Sequence, residues 1–301
     1  MFNLDNRVRL SEFKQFGEVV RDVGFFGVGK IPSRVPFRLV PVTKPGHLKD
    51  VLRHDDIAAV LCPPSMAGDV PANLGCLASD NPIEAAYHIH ADLASRPDYY
   101  WTRFDSRIAS NARIAPGAIV SAEDVIIGED SIVEAGAIIL PRSVIGDRVL
   151  VGAGTVIGTQ AFELARIGDL NRLQQQVGGV RVGSDSIFLS GIMVARSIFA
   201  TFTEIGRNCA FDNLVHVAHD CVIQDRSQLT ACAMLAGRVE LATDTFIGPN
   251  SSISNGISVG EGGSVSIGST VVRDVEAGQK VTGYFATDHR SFLRNLKRPD
   301  E

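Results

Sequence analysis

The sequence predicts a mainly β protein: a parallel β-helix of hexapeptide repeats, preceded by a small α/β domain and followed by a short helix. Three observations carry this. Every sixth residue from Ile205 to Val265 is apolar, namely Ile205, Phe211, Val217, Ile223, Leu229, Leu235, Leu241, Ile247, Ile253, Val259 and Val265. That spacing fits neither the 3.6 period of a helix nor the period of two of a lone strand, and it is the signature of a hexapeptide solenoid. The same comb runs through Ile108, Ile114, Val120 and Ile126, slips by one residue, and resumes as Ile127, Val133, Ile139, Ile145, Val151 and Ile157. It restarts as Val182, Phe188, Val194 and Ala200. Third, a glycine follows the comb residue at Ile127, Ile145, Val151, Ile157, Val182, Ile205, Ile247 and Val259, as expected at a corner needing positive φ or close chain approach. Three hexapeptides close one triangular coil, so residues eighteen apart stack on adjacent coils.

Residues 1–104 lack the comb. Ile57-Ala58-Ala59-Val60-Leu61-Cys62, closed by Pro63-Pro64, reads as a buried strand, with the preceding HLKDVLRHDD as a short helix. Asn81-Pro82-Ile83-Glu84 opens a second helix, because asparagine caps exposed N–H groups and proline suits the first turn. Arg96-Pro97-Asp98 ends it and leads into the β-helix, assigned to 105–282. The comb is interrupted over 159–179, where AFELARIGDLNRLQQQ has no hexapeptide pattern. Loops projecting from rigid scaffolds often carry function. After Val265 the register is expected to slip, and residues 283–301 to form a C-terminal helix with Arg290, Arg294, Lys297 and Arg298 on one basic face.

The 301-residue chain fits about two domains. No stretch approaches the ~20 apolar residues that span a bilayer, and the start, MFNLDNRVRLSEF, lacks the pattern of a secretory signal. Five cysteines without a CxxC fit a reducing compartment, so a cytoplasmic protein is expected. A net charge of −5 gives no electrostatic reason to bind nucleic acid. An open β-helix must cover its ends and faces; capping by the terminal elements and association into a homotrimer are expected.

The chemistry concentrates in Phe211-Asp212-Asn213-Leu214-Val215-His216-Val217-Ala218-His219-Asp220. His219 or His216 could take a proton from an attacking amine or hydroxyl, with Asp220 or Asp212 orienting the imidazole. Gly237 lies eighteen residues after His219 and could bring a backbone N–H beside it, the donor that an acyl-transfer oxyanion needs. Only His216 and His219 fall within the comb, short of the three ligands of a catalytic zinc, and no metal is expected.

FDNLVHVAHDCVI resembles the IDN…IAHN stretch of UDP-3-O-acylglucosamine N-acyltransferases of lipid A biosynthesis. The likeness extends to VGAGTVIGTQAFELA, MLAGRVELATDTFIGPNSSISNG and HL…AAVLC…NPIEAAYHIHADL, in order over most of the chain. It implies a left-handed helix, His219 as general base, Gly237 as oxyanion donor, and substrate contacts from His216, Asp212, Asn213, Asp220, Phe162, Arg196 and Phe37. It further implies acyl transfer from a phosphopantetheine thioester, on acyl carrier protein or coenzyme A, to the amine of a nucleotide-linked amino sugar in cell-surface glycan biosynthesis, with no permanently bound cofactor. The basic C-terminal face suits either donor.

Four departures accompany the likeness, one of them the shortness of the C-terminal helix. Asn255-Gly256 runs into Ile257-Ser258 where the family has a second histidine, Phe37 is the lone aromatic where the family holds uracil, and VARSIF replaces an arginine-containing element, leaving Arg196 in a related place. The alternative reading is a non-catalytic binding or scaffold protein on an acyltransferase frame.

Overall fold

The computed structural model describes residues 1–283, 286 and 288–290. From Arg107 onward the chain winds into a parallel β-helix whose short strands form three sheets of eight, eight and nine strands. Each pairing step between Ile205 and Val271 is eighteen residues, as in Ile205↔Ile223↔Leu241↔Val259 and Val217↔Leu235↔Ile253↔Val271. The eleven comb residues from Ile205 to Val265 all face the interior, none more than 3% exposed. Period six places these eleven inside because each triangular side contributes one inward position, whereas Ile108, in the first coil, is 43% exposed.

The structure corrects the comb at three points. Ile127, not Ile126, faces inward: Val125–Ile127 pairs with Ile127 against Ile108, nineteen residues earlier, so one extra residue is absorbed in that coil. Ala200 is not an interior position. Val182 pairs with Ile205, five residues beyond a regular coil, and Ile198, Phe199 and Ala200 pack instead with Ala85, Ile89 and Leu93 of the N-terminal domain. The comb also continues in register to Val271, and the slip follows it, where Val281 pairs with Val265 only sixteen residues back.

The expected insertion folds as an antiparallel hairpin, Leu164–Ile167 against Leu170–Leu173, before Gly179–Val182 rejoins the stack on Ser143–Ile145. Both excursions dock on helix α2, Pro82–Ser95. His90 of α2 binds Gln175 O through Nε2 at 2.8 Å and meets the Phe199 ring edge-on at 5.2 Å. Burial holds the His90 pKa down at about 4, so this contact is made by a neutral ring.

Close approach, rather than positive φ, explains most glycines that follow a comb residue. A Cβ on Gly152 would lie 2.5 Å from Leu189 O of the next coil, and one on Gly248 2.6 Å from Ile267 N. Positive φ falls two residues later in each turn, at Asn208, Leu214, Asp220, Arg226, Cys232, Arg238, Asp244 and Asn250. These turns put Asp220 in the left-handed region with φ 59°.

The N-terminal domain has a five-stranded sheet in the order Glu18–Arg21, Gly75–Ala78, Ile57–Cys62, Arg38–Pro41, Gly27–Val28. Helix α1, Pro45–Val51, starts earlier than the sequence suggested because Pro45 sets its first turn. Helix α2 begins as expected, with the Asn81 side chain accepting from Glu84 N at 3.2 Å. Arg38 is fully buried; it donates through Nε to Lys30 O at 3.2 Å, through Nη1 to Val35 O at 3.0 Å, and pairs with Asp56. The loop carrying Lys30 is thereby tied to the sheet. All five cysteines are free thiols. Of the expected C-terminal helix, His289 and Arg290 are described and helical, and the remainder, with Arg294, Lys297 and Arg298, lies outside the described residues.

Candidate active site

The turn after the inward Val217 presents His219 and Asp220 at one corner of the β-helix. The left-handed backbone at Asp220 turns its carboxylate back toward its neighbour, and Oδ2 lies 2.8 Å from His219 Nδ1. A carboxylate can only accept, so Nδ1 carries the hydrogen and Nε2 is the basic nitrogen. Asp220 is itself fixed from two sides. Its N–H donates to the buried Thr203 hydroxyl at 2.9 Å, and Ser197 Oγ donates to Oδ1. Ser197 stands in the five-residue excursion that docks the N-terminal domain, so the mismatch in the comb supplies part of the site.

Gly237 lies in the turn one coil along and Asn255 in the turn after that. The three turns are stitched together by Arg238 N donating to His219 O at 2.9 Å and Gly256 N donating to Gly237 O at 3.0 Å. A Cβ on Gly237 would come within 2.6 Å of both Cε1 and Nε2 of His219, and within 3.1 Å of Asn255 Oδ1. Only glycine lets the imidazole lie over this turn. The flanking N–H groups of Ala236 and Arg238 are used in the ladder, whereas that of Gly237 donates to no backbone carbonyl among the described residues.

Nε2 faces Glu163, whose Oε2 is 3.6 Å away. Glu163 projects from the start of the inserted hairpin, and its other oxygen pairs with Lys30 of the N-terminal domain. His219 is 7% exposed, so the imidazole is enclosed by the β-helix, the hairpin and the N-terminal domain together. Beside Asp220 opens a cavity lined by Lys30, Arg34, Phe199, Asp220, Val222 and Arg238.

The remaining residues singled out from sequence lie elsewhere. Asp212 and Asn213 belong to the preceding corner: Asp212 Oδ1 accepts from Asn213 N at 2.7 Å and Nδ2 at 2.8 Å, and Asp212 Oδ2 accepts from Ala231 N at 3.1 Å. Of the two carboxylates considered, Asp220 is therefore the one that bonds the imidazole. His216 points outward from a sheet between Met193 and Met234, and partial burial lowers its pKa. Phe162 is 85% exposed next to Glu163. Arg196 donates twice to Gly158 O, at 2.9 and 2.7 Å, and burial, aided by the Arg142 charge, lowers its pKa to about 10. Phe37 lies on the N-terminal domain beneath the Arg7 guanidinium, 4.5 Å from the ring centroid.

Sequence reasoning missed Glu163, Lys30, Ser197, Thr203 and Asn255. Asn255 was legible, standing thirty-six residues after His219 in the same column. Glu163 adjoins Phe162 in the insertion already suspected of function. Lys30 carries no signal short of tertiary contact. Among the described residues, no group of three or more His, Cys, Asp or Glu is placed to hold a metal ion.

The pattern describing the bacterial transferase hexapeptide, six repeats, matches residues 124–159. Residues 124–159 carry this repeat. A UDP-3-O-acylglucosamine N-acyltransferase of Wolinella succinogenes is 28% identical over 140 residues, 46% of this chain and 44% of the relative. The one from Caulobacter sp. is 29% identical over 145 residues, 46% of this chain and 41% of the relative. The chain thus spans less than half the length of these curated relatives. Among solved structures, UDP-N-acetylglucosamine acyltransferase from Campylobacter jejuni superposes with a TM-score of 0.51 at 24% identity, covering 64% of this chain and 82% of that one. The Francisella novicida enzyme gives 0.53 at 19% identity, covering 65% and 71%. This likeness shows the fold of the hexapeptide repeat to be a left-handed parallel β-helix.

Proposed function

We propose that the chain is an N-acyltransferase that moves an acyl group from a phosphopantetheine thioester to the amine of a nucleotide-linked amino sugar. The observation that carries this reading is the column in which His219, oriented by Asp220 at 2.8 Å, lies directly over Gly237. The amine nitrogen attacks the thioester carbonyl while Nε2 accepts its proton; the C–S bond then breaks, and the proton passes to the departing thiolate. The Gly237 N–H receives the charge that develops on the carbonyl oxygen. Similarity to the N-acyltransferases of Wolinella succinogenes and Caulobacter supports the amine as acceptor. Acyl carrier protein and coenzyme A both present this thioester, and the reading places the reaction in the cytoplasm, in lipid A or other cell-surface glycan biosynthesis. Among the described residues no helix is long and apolar enough to cross a membrane.

Incubation with acyl-coenzyme A or acyl carrier protein and a panel of UDP- and dTDP-amino sugars should release free thiol only when an amino sugar is present. Sugar binding without thiol release from any donor would instead favour the non-catalytic reading, to which Ile257, standing where the resemblance called for a second histidine, lends weight.

The same reading includes a homotrimer. Met193, Ile187, Leu214 and Phe246 project from the outer sheets and turns at 39% to 63% exposure, an apolar surface that a threefold assembly would cover. Light scattering at micromolar concentration should give three times the chain mass of 32.2 kDa; a monomer would refute the assembly.

A further inference from the structure

The acyl-transfer reading leaves unexplained why a second carboxylate faces the base. Glu163 Oε2 stands 3.6 Å from Nε2, on the side opposite Asp220. In the neutral ring that a general base requires, Nδ1–H is committed to Asp220, and Nε2 and Oε2 are two acceptors turned toward the same point. Neither can satisfy the other in that form, so both are open to hydrogens brought by an acceptor substrate. The carboxylate is held there deliberately by its surroundings: Lys30 neutralises its other oxygen, and the Lys30 loop is anchored by the buried Arg38.

On the basis of that reading, we infer that Glu163 makes the site selective for an amine over a hydroxyl as acyl acceptor. The inference follows from counting hydrogens. A hydroxyl has one; given to Nε2, it leaves the oxygen lone pairs against the Glu163 carboxylate. A neutral amine has two, one for Nε2 and one for Oε2, and its lone pair remains free for the thioester carbonyl. When the nitrogen attacks, the proton directed at Nε2 transfers to it and then leaves with the thiolate. Glu163 takes no proton and ends the cycle as it began, having held the nucleophile. An arriving ammonium is also attracted by the carboxylate and gives up its surplus proton to solvent before attack. The signal for this role comes from the insertion, which brings Glu163 to a base set on the regular coil.

The test uses UDP-glucosamine and UDP-glucose, which differ in an amine against a hydroxyl at one ring carbon. Calorimetric titration of the wild-type protein should show UDP-glucosamine binding at least about tenfold more tightly, in keeping with sites built to hydrogen-bond a particular group. In Glu163→Gln and Glu163→Ala the ratio should fall to within about threefold, with melting temperatures unchanged. Equal loss of both sugars, an unchanged ratio, or no binding of either sugar to the wild type would overturn the inference. Thiol release separates the two ideas. If the wild type shows the amine preference and Glu163→Gln abolishes it, but no donor yields thiol, acyl transfer fails and amine recognition stands. If thiol is released and Glu163→Gln leaves the amine-to-hydroxyl ratio of kcat/KM unaltered, amine selection by Glu163 fails and acyl transfer stands.

Discussion

His219→Ala is expected to lower acyl-transfer turnover by roughly 10² to 10⁴, the span associated with losing a positioned general base, while leaving the fold and sugar binding in place. The imidazole hangs from a turn whose backbone bonds do not depend on it: Arg238 N still meets the carbonyl of residue 219, and Asp220 keeps Thr203 and Ser197. His216→Ala should cost less than about tenfold, because that ring faces outward between Met193 and Met234 and bonds no carboxylate among the described residues. Steady-state rates of thiol release for the two variants decide the matter. Loss of activity in His216→Ala with retention in His219→Ala would transfer the base to the wrong corner and dissolve the column with Gly237. Indifference to both would remove general-base acyl transfer from this site.

Ile247→Asp is expected to be the most damaging single substitution for stability. Ile247 is 0% exposed and is paired with Leu229 and Val265 on neighbouring coils. Replacing it forfeits about 1.5–3 kcal/mol of apolar burial and puts a carboxylate among aliphatic side chains. An uncompensated buried charge costs several kcal/mol more, about 3–5 by analogy with broken buried pairs. Nothing in the coil can relieve it, since the outward flank of each strand points away from the interior. Thermal melting or urea denaturation should show an unfolded or strongly destabilised chain. Wild-type melting would mean that Ile247 does not face inward, and with it every register assignment from Ile205 to Val265.

The alignment of His219 with Gly237 and the comb are legible in the sequence for the same reason. In a β-helix the period is geometric: three sides of six residues return the chain to the same azimuth, so sequence separation becomes spatial position. His219 over Gly237 followed from eighteen residues alone, as did the burial of Phe211, Leu229 and Ile247. The choice of Asp220 over Asp212 did not. Both lie within the same ten residues, and only the left-handed turn at Asp220, with Asp212 already engaged by Asn213 and Ala231, separates them. The glycines were half legible: their need for space was foreseen, but close approach and positive φ could not be distinguished until the neighbouring coil was in place.

Where the period breaks, so did the reading. Ala200 keeps the count of six, which predicts an interior position, yet it belongs to a five-residue excursion that packs on the N-terminal domain. The hairpin after Thr159 is legible as an interruption, but its consequence, Glu163 beside the His219 imidazole, is not. A repeat encodes contacts between residues at fixed separation, and the sequence by itself determined the β-helix, its inward face and the alignment of His219 with Gly237. Insertions and the N-terminal domain obey no such period. Tertiary packing alone decided that Ser197, Glu163 and Lys30, which stand 22, 56 and 189 residues before His219, would gather around its imidazole and partner carboxylate.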